Sequence, residues 1–261
     1  MARGPGHPAL LTWLGALVVG LSLGLLGSGG SILTVPILVY VVGESPKLAV
    51  ATSLVIVGVI AAVGAASHAR RQLVDWRQVM LFGLPGIVAT WAGAWASHFV
   101  SGAVQLVVFA LIMGLASIAM LRPAPHAAET PVRRHFTWLL AAGVGVGLIT
   151  GFVGVGGGFL FVPALVVLGG LSMHRAVGTS LAVIALNSAS GFASHWLQLA
   201  SAQIRIPWAT IAVFAVIGTA GSLAGQMLGR RLAHANLRRA FGVLLIAMSG
   251  FVLWRTLPQI P

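Results

Sequence analysis

The sequence predicts an all-α integral membrane protein of two inverted repeats, with about eight transmembrane segments. The first observation is composition: the mean hydropathy is +1.02, and only 7% of the 261 residues are charged. A soluble domain carries about a quarter charged residues, so this chain has too little polar surface to face water. Because a spanning helix needs about 20 apolar residues, the length accommodates roughly seven to ten spans.

The second observation is an internal duplication. Residues 20–36 and 147–163 match in one unbroken register, with shared glycines and a shared Val-Pro pair at the end. The same register continues as far as His68 in one half and His195 in the other. Related halves are the usual architecture of secondary transporters. The predicted organisation is a first repeat at 1–121, a linker at 122–135 and a second repeat at 136–261.

Apolar runs follow one another along both repeats. They lie at about 9–42, 48–67, 78–98 and 102–121, and again at about 136–169, 174–194, 208–228 and 238–256. The first and fifth runs are too long for one span, and glycines followed by a proline interrupt each of them. Both are expected to break into re-entrant helix–turn–helix hairpins that turn at 27–31 and 154–158. Non-helical backbone persists at membrane depth only where protein or a watery cavity surrounds it, so both turns are expected inside the protein.

The third observation is the distribution of charge. Lys and Arg number 15 against three acids, which gives a net charge of +12, and cytoplasmic loops collect basic residues. If the two broken segments fold back, Lys and Arg concentrate on one membrane face, whereas the faces are nearly balanced if the segments cross. The loop at 68–77 is rich in Arg, while its counterpart at 195–207 has only Arg205. Equivalent loops with such different charge are expected on opposite faces of the membrane, and this favours inverted halves. The charge forms no stripe that would indicate nucleic-acid binding.

The two glycine turns are the best candidates for a binding site. Each precedes a half-helix whose first backbone amides lack partners and lie at the positive end of the helix dipole, and successive glycine amides form anion-binding nests. The predicted substrate-binding residues of the turns are Ser28, Gly29, Gly30, Ser31, Gly156, Gly157 and Gly158. Hydroxyls at the start of the next helices join them, at Thr52, Ser53, Thr179 and Ser180. Two alternatives stay open: the glycines only permit a tight bend, and the hydroxyls bond back to their own helices.

Asn187 and two histidines are further candidates. Asn187 is the only amide within its apolar run, and it is expected to contact either the substrate or another helix. His68 and His195 lie at equivalent helix ends. They could couple proton flow to transport because histidine titrates near neutral pH, and the alternative is an interfacial role at a helix end.

Enzymatic chemistry is poorly supported by the sequence. The chain has no cysteine, and its acids Glu44, Asp75 and Glu129 fall in predicted loops, which leaves no carboxylate cluster for a metal. Ser28 with a histidine would suggest a serine hydrolase, but the residues around Ser28 lack the leading glycine of a GxSG pattern. We therefore predict no catalytic residue, no metal and no cofactor.

The paired glycine segments and the residues after them resemble the TauE/SafE sulfite exporter family. The matching stretches are 24–36 followed by 49–53, and 151–163 followed by 176–180. The resemblance covers about residues 10–256. It implies a multi-pass protein of the cell inner membrane that moves sulfur-containing or organic anions, such as sulfite and sulfonates.

Residues and resemblance together predict a secondary transporter of small anions, chiefly sulfur oxyanions or organosulfonates, that works by alternating access. An anion channel is the main alternative, and a serine hydrolase a distant one. The expected partners are the lipid bilayer and a small-anion substrate. A homo-oligomer is left open, and no nucleic acid is expected.

Overall fold

The computed structural model describes residues 7–97, 99–100, 102–122, 136–153, 158–201 and 206–256, and within these ranges the chain is helical with no strand. The α-helices there are α1 (His7–Leu26), α2 (Gly29–Ile37), α3 (Pro46–Ala69), α4 (Trp76–Gln78), α5 (Leu84–Ser97), α6 (Gly102–Leu121), α7 (Phe136–Val153), α8 (Phe161–Val167), α9 (Met173–Ser201), α10 (Trp208–Arg231) and α11 (His234–Thr256). Wider π-helical turns follow α2 at Leu38–Val42 and α4 at Val79–Gly83, and a 3-10 turn, Gly158–Leu160, precedes α8.

Several of these helices are suited to a membrane. In the described part of the chain, four are long and apolar enough to cross one: Leu48–Ala69, Met173–Ala193, Trp208–Arg231 and His234–Trp254. Shorter apolar helices accompany them. Large apolar side chains remain on the outside of the bundle, for example Val88, Val216 and Trp254. Such a surface is stable in lipid and unstable in water, so the protein is a helical membrane protein.

α1 and α2 lie side by side and run in opposite directions. A Cβ placed on Gly15, early in α1, would lie 2.8 Å from Cγ2 of Ile37 at the end of α2. A Cβ on Gly30, early in α2, would lie 2.8 Å from Cβ of Leu23. The reversal is made at Gly27, whose φ of +78° is a conformation that favours glycine. The first apolar run is therefore two antiparallel helices joined by a tight turn.

α1 packs along α10, and α7 packs along α5 in the same way. Gly20 meets the backbone of Gly218, and Gly24 meets the backbone of Ser222 one turn further along both helices. Because residue numbers rise together, α1 and α10 run parallel. Small residues allow this close contact of two backbones, which stabilises helix pairs in lipid.

α3 and α9 form the centre of the bundle and run antiparallel. A Cβ on Gly58 would lie 3.1 Å from Cβ of Ser188, and a Cβ on Gly64 would lie 3.1 Å from Cδ1 of Leu181. Residue numbers therefore rise along α3 while they fall along α9. Buried side chains of both helices belong to one continuous apolar core in the described residues.

α6 and α11 form a second antiparallel pair, joined by buried hydroxyl groups. Ser117 Oγ donates to the Gly242 carbonyl oxygen over 2.8 Å, and Ser249 Oγ donates to the Ala110 carbonyl oxygen over 2.7 Å. Each hydroxyl is paired with a carbonyl of the facing helix. This arrangement satisfies both polar groups away from water.

Two of the differences between the helix bounds and the expected apolar runs concern candidate site residues or their loops. α3 already begins at Pro46, so Thr52 and Ser53 lie in its second turn and not at its start. α9 continues to Ser201, through positions that were expected to form a loop. Of the expected linker, only Arg122 falls within the described residues.

Candidate functional site

The first glycine turn lies against the start of the second broken segment. Ser28 is fully buried, and its Oγ donates to the Phe159 carbonyl oxygen over 3.4 Å. A Cβ on Gly158 would lie 2.8 Å from Ser31 Oγ. Residues 27–31 and 158–159 are therefore in direct contact, although they are far apart in sequence. Gly156 and Gly157, also predicted to belong to the site, lie outside the described residues.

The N-terminus of α2 is buried and uncapped. Ser28 occupies the N-cap position with φ −146° and ψ −6°, and its side chain makes no capping hydrogen bond. Gly29, Gly30 and Ser31, the first residues of the helix, are buried. The first amides of a helix have no partner within it, and they carry the positive end of the helix dipole. The turn therefore offers backbone donors in the protein interior, where an acceptor is needed.

Hydroxyl groups around this turn already donate to backbone carbonyls. Ser31 Oγ donates to the Ser28 carbonyl oxygen over 2.7 Å, and Ser53 Oγ to the Val50 carbonyl oxygen over 2.7 Å. Ser180 Oγ lies 2.9 Å from the Val177 carbonyl oxygen and 3.3 Å from that of Gly27. In this conformation the hydroxyls of Ser31, Ser53 and Ser180 therefore bond back to the backbone of their own helices, as one of the two alternatives predicted. Ser180 nevertheless joins α9 to the first glycine turn.

Thr179 and Thr52 have different surroundings from the serines. Thr179 Oγ1 accepts a hydrogen bond of 3.0 Å from the backbone amide of Asp75, so it holds the connection that leads into α4. Thr52 is buried, and its Oγ1 has no hydrogen-bond partner. The two threonines therefore do not contribute equivalent hydroxyls to one site.

Glu44 is a half-buried acid in the loop where the sequence placed it. Both of its carboxylate oxygens are buried without a hydrogen-bond partner. Burial raises the pKa of this carboxyl, and the nearby Thr52 hydroxyl opposes that rise without making a hydrogen bond of ordinary geometry. The only sequence signal is its position in the short connection that leads into α3.

His68 lines a small basic cavity at one end of the bundle. We call this the basic cavity, and its polar lining consists of His68, Arg71, His174, Gln226 and Arg230. His68 is 8% exposed, and its Nδ1 donates to the Gly64 carbonyl oxygen over 3.0 Å. This bond leaves Nε2 as the ring nitrogen available to a ligand. Sequence reasoning missed the cavity because it attributed the arginines to membrane topology alone.

Asn187 and His195 lie further along α9. Asn187 is half-buried, seven residues beyond Ser180 and so about 10 Å away along the helix axis. The structure therefore does not bring it to the glycine turn. His195 belongs to the last part of α9, and its side chain lies outside the described residues.

Ser28 and His68 do not form a nucleophile and base. The hydroxyl of Ser28 donates to the Phe159 carbonyl oxygen, and Nδ1 of His68 donates to the Gly64 carbonyl oxygen. Each of these groups is bound to backbone rather than to the other. A hydrolase would need them within hydrogen-bond reach of each other.

A buried helix terminus and a basic cavity within a helical bundle are features found in membrane transport proteins. The family model for the sulfite exporter TauE/SafE matches residues 12–252. The chain therefore belongs to the TauE/SafE sulfite exporter family, which is a family of membrane transporters, and the resemblance found in the sequence is confirmed.

Relatives of this chain are named probable membrane transporter proteins. A protein of Xylella fastidiosa (strain 9a5c) named "probable membrane transporter protein" is 35% identical over 249 residues, 92% of each chain. One of Methanocaldococcus jannaschii is 26% identical over 254 residues, 91% of this chain and 94% of the relative. The probable membrane transporter protein YunE of Bacillus subtilis is 28% identical over 207 residues, 70% and 76% of the two chains. A lipid bilayer and a small substrate follow from membership of this family.

Proposed function

We propose that this protein is a secondary transporter that moves a small sulfur-containing oxyanion or organosulfonate across the cell inner membrane by alternating access. The observation that carries this proposal is the buried, uncapped N-terminus of α2 where it meets Gly158 and Phe159. Buried amide donors need acceptor oxygens, and the helix dipole stabilises a negative charge there. A small oxyanion supplies both.

The proposed architecture consists of two inverted repeats. α3 and α9 come from equivalent positions of the two repeats, and so do α6 and α11. Both pairs run antiparallel. An axis along the membrane normal would make equivalent helices parallel, whereas an axis in the membrane plane makes them antiparallel. α1 and α7 are equivalent helices of the two repeats, and so are α10 and α5. The same two-fold axis would therefore convert the packing of α1 on α10 into that of α7 on α5.

We further propose that the two broken segments are re-entrant hairpins within eight transmembrane segments. The support is the antiparallel contact of α1 with α2, which returns the chain toward its starting side after the turn at Gly27. If the second turn also lies between the repeats, movement of one repeat against the other would expose the bound anion to each face in turn. His68 is retained as a candidate for proton coupling because its Nε2 is free of the Gly64 bond.

Uptake into proteoliposomes tests the proposed function. Sulfite, thiosulfate, sulfate, a sulfonate and a short carboxylate are each offered with and without a proton gradient. Secondary transport predicts saturable uptake of at least one sulfur oxyanion or sulfonate, and accumulation above equilibrium when the gradient is present. Non-saturable flux that never exceeds equilibrium would identify an anion channel instead.

Gly29→Val tests whether the glycine turn binds the anion. A Cβ on Gly29 would lie 3.0 Å from Leu244 Cδ2 and 3.3 Å from Leu26 Cδ1. Both are ends of flexible side chains, so the fold can adapt while the new methyl groups cover the amides of α2. Gly250→Val is the matched control, because a Cβ on Gly250 meets nothing within 4 Å. We expect Gly29→Val to abolish uptake with membrane insertion intact, and normal uptake by this variant would contradict the site.

Single cysteines test the inverted topology, because the natural chain has none. One is introduced between α3 and α4 and the other between α9 and α10, which are equivalent connections of the two repeats. Inversion predicts that a membrane-impermeant thiol reagent labels them from opposite faces. Labelling of both from one face would refute the inversion.

A further inference from the structure

The basic cavity has the lining of an anion site in its own right. It lies among the last turns of α3 and α10 and the first turns of α9, and its volume is about 20 Å³. A volume of this size holds one water-sized group, which is the size of a single oxygen of an oxyanion. Arg71 and Arg230 line it together with His68 and His174, and no carboxylate does. Arginine remains charged at any physiological pH, so the cavity is positive regardless of the histidines.

Gln226 gives a second, independent indication of a ligand. This side chain is 4% exposed and lines the basic cavity, yet its Nε2 has no hydrogen-bond partner. An amide nitrogen only donates hydrogen bonds, and leaving a buried donor unpaired costs about 1–3 kcal/mol. The missing partner must therefore be an acceptor, such as an anion oxygen.

Ser222 carries a second buried polar group near Gln226. Its Oγ also has no hydrogen-bond partner. A Cβ on Gly64 would lie 3.2 Å from Gln226 Nε2 and 3.5 Å from Ser222 Oγ. Both unpaired groups therefore lie close to Gly64, and Gln226 is the one that lines the cavity.

Val177 connects the basic cavity to the first glycine turn. Val177 lines the cavity, and its Cα lies 2.8 Å from the position of a Cβ on Gly27. Gly24 and Leu25, which also line the cavity, lie just before that turn. One layer of residues therefore separates the basic cavity from the candidate binding turn.

We propose that the basic cavity is a second anion station, which binds a small oxyanion on the arginine-rich side before or after the anion occupies the glycine turn. This inference rests on the proposed transport function for its role in a pathway, but its anion binding is measurable without transport. Arg71 and Arg230 attract the anion, and Gln226 donates to one of its oxygens. Positive residues at the mouth of a cleft raise the rate of anion capture about 10-fold or more at low ionic strength.

Sulfite and sulfate binding to the purified full-length protein tests the station directly. Binding is followed by the rise in unfolding temperature with anion concentration, since a ligand that prefers the folded state stabilises it. The test variants are Arg71→Gln with Arg230→Gln, and Gln226→Leu. Arg175→Gln is the matched control, because Arg175 is exposed beside His174 and does not line the cavity.

We expect the double arginine variant to weaken anion binding about 10-fold at low ionic strength, and Gln226→Leu to weaken it at every ionic strength. Arg175→Gln should bind as the wild type does. If Arg175→Gln weakened anion binding equally, the effect would come from the overall positive charge of that face and not from the cavity. That result would overturn the station. Unchanged binding in both cavity variants would overturn it as well.

Gly29→Val separates this inference from the proposed function. If the station exists, this variant loses uptake but keeps the part of the anion-dependent rise in unfolding temperature that comes from the basic cavity, which is the part that the cavity variants lose. If the wild type binds sulfite at the basic cavity and transports none of the anions tested, the proposed function fails while the station stands.

Discussion

Gly147→Ala tests the close contact of α7 with α5. A Cβ on Gly147 would lie 2.7 Å from Cα and 2.8 Å from the carbonyl carbon of Gly86, and it would also meet the Gly86 carbonyl oxygen. Carbon atoms in contact are ordinarily about 3.5–4.0 Å apart, so the two backbones would have to separate by about 1 Å. A gap of that size forfeits about a quarter to a half of the dispersion energy of the atoms it separates. Overpacking of this kind costs about 1–3 kcal/mol, and rigid backbone on both sides puts this variant near the upper value.

The control for Gly147→Ala is in the same helix. A Cβ on Gly145 meets nothing within 4 Å, so Gly145→Ala should gain about 0.5–1 kcal/mol from helix propensity. At about 2–4 °C per kcal/mol, the two variants should unfold about 7–16 °C apart. Intrinsic fluorescence measures this in detergent because Trp91 and Trp138 lie on the two helices concerned. If Gly147→Ala unfolds at or above the temperature of Gly145→Ala, the proposed backbone contact is wrong.

Three further predictions concern other parts of the structure. Burial raises the pKa of Glu44 above its ordinary 4.5, so its contribution to stability is full below pH 4.5 and falls as the pH rises through the raised value. Glu44→Gln should therefore unfold at a higher temperature than the wild type at pH 8 and at a similar one below pH 4.5, and a difference that stays constant with pH would contradict this. A methyl group from Gly158→Ala would lie 2.8 Å from Ser31 Oγ and separate the two turns; sulfite uptake should fall, whereas Gly250→Ala should not change it. Arg238→Gln removes the 2.7 Å bond from a guanidinium nitrogen to the Ala119 carbonyl oxygen and should cost about 1.5–3 kcal/mol, so an unchanged unfolding temperature would show that this bond contributes nothing.

The helical membrane class and the position of the first turn were predictable from sequence. Glycine at position 27 interrupts an apolar run that is too long for one span, and the structure ends α1 at Leu26 and begins α2 at Gly29. Pro36, which was also expected to interrupt the run, lies inside α2. Local chemistry decides both features, because hydropathy depends on composition and a positive φ depends on the absence of a Cβ. Nearby residues in the sequence suffice for such predictions.

The partners of the polar side chains were not predictable from sequence. Thr52 and Thr179 occupy equivalent positions, yet one hydroxyl is unpaired beside Glu44 and the other accepts the Asp75 amide. Repetition in sequence predicts similar helices, but each side chain meets the residues of another helix. Because those neighbours differ between the halves, the two hydroxyls differ in their hydrogen bonding.

By itself the sequence determined that this chain is a helical membrane protein of a transporter family, because composition and the glycine pattern are properties of contiguous residues. Only the tertiary structure brought Arg71, Gln226 and Arg230 into one cavity and buried the uncapped start of α2 against Gly158. These groups come from helices that are distant in the chain, and hydropathy carries no information about which helices pack together. Two of the arginines that the sequence assigned to membrane topology therefore also line a cavity close to the glycine turn.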